Sequence, residues 1–386
     1  MNVLRRLSTP RLFILLGTLA AAIAAATFVG IAATRGAGAA PAGAPLAQAV
    51  HDALAAPAPD GIDARVTFTN NLLPSSTLLG NVTSALISGA SGRLWLTNDG
   101  RGRIELQSDA GDTQVVWDSS KLTVYDSSSN TAYEVALPAS ANQGTTTHAV
   151  PSLDEISNAL SQLEQHANVS DALPGVVANQ GAYTVSVSPK ENGGLFGDAE
   201  LAWAASNGVP LRIAITAKGD STPVLELKVT DISFGAVDPA DVSITPPAGT
   251  KIVQLTPPSG APSGDSHAQP VTGVDAVRAA VPFSLAAPTT VGDRPLTSAR
   301  LVGKGGALLT YGDGLGALVV HESAGGESGL AGPLGSLPKV SLGSVDAHEL
   351  ATPLGTVLTF DNGGVSFVVG GSMTSTDAEA AARAFA

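Results

Sequence analysis

The sequence predicts a mainly β chain of the α+β class: an apolar N-terminal helix, a large antiparallel sheet with a few helices, and a smaller α+β unit behind it. Three observations predict this. Segment after segment alternates apolar and polar residues with period two, the pattern of an antiparallel sheet with one apolar face. Gly and Pro are abundant, 43 and 25 of 386 residues, and only 14% of residues are charged, which suits strands joined by many turns. A stretch rich in Pro, Gly and Ser at 246–270 breaks the alternation and reads as a linker between two units.

Residues 1–11 hold Arg5, Arg6 and Arg11, ahead of Leu12–Ala33, which is 22 residues without a charge. As a helix that segment would be roughly 33 Å long, enough to cross a bilayer core of about 30 Å. The arginines predict that residues 1–11 stay in the cytoplasm and the bulk of the chain is extracytoplasmic. The alternative is a cleaved signal peptide, and small residues near Ala37–Ala40 allow it. Its apolar run would normally be about 7–15 residues, so a retained single-pass anchor at 12–33 is the expectation. Cleavage would make the protein secreted.

Residues 34–45 read as a flexible spacer. Pro45–Ala56 reads as a helix with Leu46, Val50, Ala53 and Leu54 on one side. Ile62, Ala64, Val66 and Phe68 then alternate with polar neighbours, as do Leu94 with Leu96 and Ile104 with Leu106. So do Val115 with Trp117, Leu122 with Val124, and Tyr133 with Val135. In the helix that interrupts the strands, Ser152 and Glu155 form a capping box, and Leu153, Ile156, Leu160 and Leu163 share one face. Such a helix should cover the apolar face of the sheet. Alternation resumes at Tyr183, Val185 and Val187, and continues through Leu201 and Trp203, Leu211 to Ile215, and Leu225 to Val229. The expected units are 46–252, a linker at 253–270, and 271–386. In the last of these, "GDG" and "DNGG" turn two hairpins, and Thr376 with Glu379 should cap the final helix.

Composition excludes several functions. There is no cysteine, so disulfides, thiolate nucleophiles and thiolate metal sites are absent. Residues 1–40 carry four arginines and no acid, leaving 16 basic against 33 acidic residues, a balance of −17. That surface repels phosphate backbones, and no nucleic-acid partner is expected. No two histidines lie at i, i+4 spacing, and no G-x-S-x-G elbow occurs. "GKGG" at 303–306 and "GDGLG" at 312–316 miss the phosphate-loop and dinucleotide patterns and read as turns. No catalytic residue, metal site or cofactor is implied, and the chain does not read as an enzyme.

Two segments are unusual. Residues 71–92 contain Leu72, Leu73, Leu78, Leu79, Val82, Leu86 and Ile87 without a clean period. They read either as short helices on the core or as a movable flap at the mouth of an apolar cavity. "GGLFG" at 193–197 puts Leu195 and Phe196 at a hairpin tip.

The stretch 91–137, with its glycine-led first strand, the basic-apolar strand of Arg103, Ile104 and Leu106, and "VVWDSSKLTVYDSSSNTAY", resembles the LolA-type lipoprotein-carrier family. It is most similar to the membrane-anchored LolA-like proteins of high-GC Gram-positive bacteria. The segment from Tyr183 to Gly235 looks like the second half of the same domain, so the resemblance covers about 46–255. Residues 270–386 resemble the small domain of the RseB/MucB sigma-factor regulators, which also carry a LolA-like N-terminal domain. The resemblance implies an incomplete antiparallel β-barrel with a helical lid, whose apolar concave face holds acyl chains. Phe68, Leu96, Leu106, Val124, Val135, Val185, Trp203 and Ile213 are the lining candidates, taken from the alternating registers. Leu72, Leu73, Leu78, Leu79, Leu86 and Ile87 are candidates for the rim. A packed core would show the same alternation. The implied partners are a lipid or acylated lipoprotein, the cytoplasmic membrane, and an anti-sigma factor or other envelope protein. The implied roles are carriage of a lipid or acyl group or, alternatively, RseB-like envelope sensing.

Overall fold

The structure is a computed structural model that describes residues 38–72, 89–109, 111–137, 150–255, 271–303, 305–325 and 337–386. The expected membrane helix at 12–33, residues 256–270 of the linker and the rim candidates from Leu73 to Ile87 lie outside the described residues. Among the described residues, no helix is long and apolar enough to cross a membrane.

The period-two segments become strands of one sheet. Helix α1 (Leu46–Ala55) precedes β1 (Gly61–Asn70), β2 (Ala90–Thr97), β3 (Gly102–Ser108), β4 (Gly111–Trp117), β5 (Lys121–Asp126) and β6 (Thr131–Ala136). Helix α2 (Leu153–Leu163) leads to β7 (Ala167–Val169), β8 (Leu173–Val177), β9 (Gln180–Pro189), β10 (Phe196–Ala204), β11 (Pro210–Ala217) and β12 (Pro223–Phe234), with β13 (Lys251–Leu255) last. Their spatial order is β13-β6-β5-β4-β3-β2-β1-β12-β11-β10-β9-β7, and β8 also pairs with β9. The two meanders meet where β1 pairs with β12. The path has two free ends, so the sheet is not a closed barrel.

One strand breaks the antiparallel rule. β13 runs parallel to β6, with Lys251 opposite Thr131 and Val253 opposite Tyr133. Residues 253–255, read from sequence as the start of the linker, are therefore the end of a strand. Flanking "PPAGT" and "TPPSG" gave them the composition of a linker, but their own Ile252, Val253 and Leu255 supply strand residues that the edge of β6 can pair.

The second half has α3 (Val274–Ala280), β14 (Thr290–Val291), β15 (Arg294–Val302), β16 (Gly306–Tyr311), β17 (Leu318–Ala324), β18 (Lys339–Ser341), β19 (Asp346–Thr352), β20 (Gly355–Asn362), β21 (Val365–Gly371) and α4 (Ser375–Ala382). Its sheet runs β14-β15-β16-β17-β21-β20-β19-β18. The helices cover a core that includes Leu309, Leu318, Val320, Leu358 and Val369. Phe360 stacks on Phe367 at 5.1 Å, and Phe385, just past α4, closes edge-on to Tyr311 at 6.0 Å. The β20–β21 turn needs positive φ at Gly363 (+58°) and Gly364 (+79°), which glycine adopts without strain.

The α2 cap forms as the sequence predicts: Glu155 N donates to Ser152 Oγ, and Ser152 N donates back to the Glu155 carboxylate at 2.8 Å. The α4 cap does not. Thr374 is the cap, accepting from Asp377 N at 3.3 Å, and Thr376 already lies inside the helix. Glu379 instead pairs with Arg383 at 2.9 Å, one turn on. "TSTDAE" contains two overlapping cap patterns, and the one nearer the end of β21 starts the helix.

The spacer is not free where it is described. Tyr183 Oη donates to Ala42 O at 2.6 Å, and a methyl group on Gly181 would lie 2.4 Å from Ala39 O. Residues 39–42 are thus fastened against β9.

Candidate functional site

The register of the first sheet sorts its side chains. Residues directly opposite one another across a ladder project from the same face. One row therefore runs Ala64–Leu94–Ile104–Val115–Val124–Tyr133. A parallel row includes Leu96, Trp117, Leu122 and Val135. On the other side of β1, Phe68 opposes Leu227, which opposes Ile213, then Leu201, then Val185. The next row toward the packed end holds Val66, Val229, Trp203 and Tyr183. All eight lining candidates fall on this one apolar face.

The opposite face carries the charge. Arg212 is gripped by Glu200 and by Glu226, the latter at 2.6 Å. Arg93 pairs with Asp63 at 2.6 Å, and Arg93 and Arg103 lie 4.9 and 5.7 Å from the Trp95 ring centre. One face of the sheet is thus entirely apolar across the rows above, and the other carries these ion pairs.

Burial on the apolar face is graded. Along β12, Ile232 is 9% exposed and Val229 6%, but Leu227 is 36% exposed. Along β1, Ile62, Ala64 and Val66 are buried and Phe68 only half-buried. Along β11, Leu211 is buried, while Ile213 and Ile215 are half-buried. One end of the wall is packed, with Ile62, Ile232, Leu211 and Val209 in one cluster. The other end, the row from Phe68 to Ile213, is half-open.

The lid differs from the expectation. α1, not α2, lies on the sheet: Ala49 packs with Trp203 and Ala172, flanked by Leu46, Val50, Ala53, Tyr183, Val185 and Leu201. α2 packs on α1. Its Ile156 is buried, but Leu153 and Leu163 are exposed. Both helices are amphipathic, and the sequence contains nothing that ranks their claims on the wall. The connection from Ala55 to β1 is short, which seats α1 first. Leu54, expected on the apolar side of α1, is 48% exposed, because the buried stripe centres on Ala49.

The candidates therefore divide. Leu106 and Trp203 are buried, Trp203 beneath α1. Phe68, Leu96, Val124, Val135, Val185 and Ile213 are half-buried. Of the rim candidates, only Leu72 is described; its N–H donates to Asn70 Oδ1 at 2.9 Å. Sequence reasoning missed Leu227 and Leu201 as lining residues, although they sit in the same alternating registers as Ile213 and Trp203.

In the first half Asp99, Asp118 and Glu134 are held below their ordinary range and owe it first to side-chain hydrogen bonds, two at turns and one across the β6–β13 ladder. Thr97 does this for Asp99, Ser120 for Asp118, and Gln254 for Glu134, which is on the outer face. Among the described residues, no group of three or more His, Asp or Glu could hold a metal ion. The described rows of this face present aliphatic and aromatic side chains.

No protein-family model matches the chain, and no curated protein matches it in sequence. Its structural neighbours include MucB/RseB-type proteins and LolA-superfamily proteins, as the resemblance in sequence implies. The MucA/MucB complex of Pseudomonas aeruginosa is 16% identical, aligning 87% of this chain with 94% of that one at a TM-score of 0.40. MucB alone is 15% identical over 88% of this chain and 95% of its own, at 0.38. A LolA-superfamily protein from Nitrosomonas europaea is 8% identical over 52% of this chain and 98% of its own, at 0.24.

Proposed function

We propose that this is a membrane-anchored, extracytoplasmic, non-enzymatic protein whose first unit holds a lipid or lipoprotein acyl group against the apolar wall. The observation that carries the reading is the half-open row of Phe68, Leu227 and Ile213, continuous with a packed floor and free of charge. Burying about ten methylenes stabilises a bound chain by roughly 8 kcal/mol, and the wall offers such a chain only apolar contacts. Affinity then comes from chain burial and depends weakly on salt.

The test is uptake of a fluorescent acyl probe by a soluble form beginning at residue 38. Leu227→Glu puts a charge into the half-open row without touching the packed floor. It should lower probe affinity at least about tenfold while circular dichroism shows the sheet intact. A wild-type protein that neither takes up probe nor yields lipid to organic extraction would mark the wall as an ordinary core.

The anchor belongs to the same reading. N-terminal sequencing of the mature protein should find the Leu12–Ala33 segment retained; a start near Ala40 would make the protein secreted instead. The second, smaller unit favours a variant of this role. In the sensing reading the wall recognises a lipidic signal and the second unit contacts an anti-sigma factor or another envelope protein.

A further inference from the structure

Two glycine-rich turns far apart in sequence, at 193–197 and 312–316, meet in the structure. The tip of the β9–β10 hairpin lies against the β16–β17 turn and the end of β21. Gly316 N donates to Asn192 O at 2.6 Å. Leu195 N donates to Ser372 Oγ at 2.9 Å. The Asn192 side-chain amide donates to the Asp313 carboxylate.

The approach is backbone to backbone. A methyl group on Gly194 would lie 2.1 Å from Ser372 O, and one on Gly314 would lie 2.9 Å from Asn192 Cβ. Asn192 (φ +51°), Gly194 (+60°) and Gly314 (+65°) all occupy the left-handed region, which Gly and Asn tolerate and β-branched residues do not. The receiving surface thus fits a tip of this one shape. It is also braced from behind, since Ser372 Oγ donates to Leu354 O at 2.8 Å in the β19–β20 turn.

The tip is equally well tied to the wall. Lys218 N donates to Leu195 O at 2.8 Å, which holds the tip to the end of β11. The two strands that converge on it carry Tyr183, Val185, Leu201 and Trp203, the part of the wall beneath α1. We propose that this contact is an intramolecular clasp that couples the apolar wall to the second unit. Strands β9 and β10 cannot spread or slide to admit a guest without moving Asn192 and Leu195 against Gly316 and Ser372. The coupling is reciprocal, so opening the clasp loosens the wall. The role of a guest rests on the reading proposed above; the clasp itself is tested without one.

The experiment is amide hydrogen exchange on the full-length chain in two variants. Asn192→Ala combined with Ser372→Ala removes two of the three hydrogen bonds and no backbone. Gly194→Val places a β-branched residue at φ +60° and against Ser372 O. In both, exchange over 194–196 and 312–317 should rise about tenfold, and exchange over 183–187 and 199–203 about threefold. Residues 113–135, remote from the clasp, should keep wild-type rates and so report that the fold survives. Unchanged exchange at 312–317 would overturn the clasp. A rise confined to the tip, with 183–187 and 199–203 unmoved, would overturn the coupling. Neither result depends on a lipid, so failure of probe uptake strikes only the container reading.

Discussion

Replacing Glu322 with Gln is expected to stabilise the second unit at pH 8 by about 3 kcal/mol and to remove a fall in its stability between about pH 4.5 and 7. Glu322 sits on β17 between Ala307 and Phe367, facing the apolar core, and is 0% exposed. One carboxyl oxygen accepts from Ala286 N at 3.0 Å; the other has no partner among the described residues. Burial pushes the carboxyl up to about 7, and the Ala286 N–H offsets part of that rise. Tyr311, whose hydroxyl is also unpartnered and buried, is pushed up by burial and by this carboxylate, so it remains a neutral phenol. The neighbouring His321 is pushed down by burial.

The sign follows from proton binding. Below about pH 4.5 the carboxyl is protonated in both states and imposes no charge on the core. As pH rises toward 7, the unfolded chain releases the proton before the native one does, so native stability falls. Above pH 7 the deficit is constant. His321 acts in the opposite direction at the acid end, because its neutral folded form loses stability as pH falls through its ordinary range. The difference between wild type and Glu322→Gln isolates the carboxyl from it. All three tryptophans, Trp95, Trp117 and Trp203, lie in the first unit, so indole fluorescence does not report on this one. Hydrogen exchange at Leu309 and Val320 does. An equal stability difference between the two proteins at pH 5 and pH 8 would refute the prediction.

Trp203→Ala is expected to cost the first unit about 3–5 kcal/mol and to release α1 from the wall. The indole is 5% exposed and shares a buried cluster with Ala49 of α1 and Ala172, with the Tyr183 ring centre 6.1 Å away. Alanine side chains are too short to fill the space the ring leaves. α1 has no side-chain cap at its N-terminus, so its stability comes from this docking rather than from its own ends. Denaturant unfolding followed by Trp117 and Trp95 should show the loss, and proteolysis should cut between residues 46 and 60. A resistant α1 in the variant would mean that Leu46, Val50 and Ala53 hold the helix without the indole. The residue is thus a keystone of the lid and a poor place to introduce a charge as a test of ligand binding.

What the sequence made legible was local. Period-two alternation in 113–135 put Val115 with Trp117, Leu122 with Val124, and Tyr133 with Val135, each pair on one face of its own strand; the register then set Val115 beside Val124 and Tyr133. The Ser152–Glu155 box and the Gly363–Gly364 turn depend on neighbours within a few residues, and both formed. Of the candidate wall, the face was legible but its burial was not, since alternation is the same under a lid as at an open mouth. The choice of α1 over α2 depends on which helix reaches the sheet. The parallel β13 depends on a strand edge 120 residues away, and the two glycine turns at 193–197 and 312–316 gave no sign in sequence of being partners. Each of these is decided by long-range packing between segments that look ordinary alone.

The fastening of residues 39–42 to β9 sets the length of a leash. If Leu12–Ala33 is the anchor proposed above, five residues, 34–38, separate its end from Ala39, the first fastened residue. Fully extended, they span no more than roughly 18 Å. The first sheet is then moored close to the membrane face by the strand that carries Gly181 and Tyr183. A protein so moored would draw its guest from the membrane it stands on and return it there. Delivery to a distant surface would require the destination to come to it.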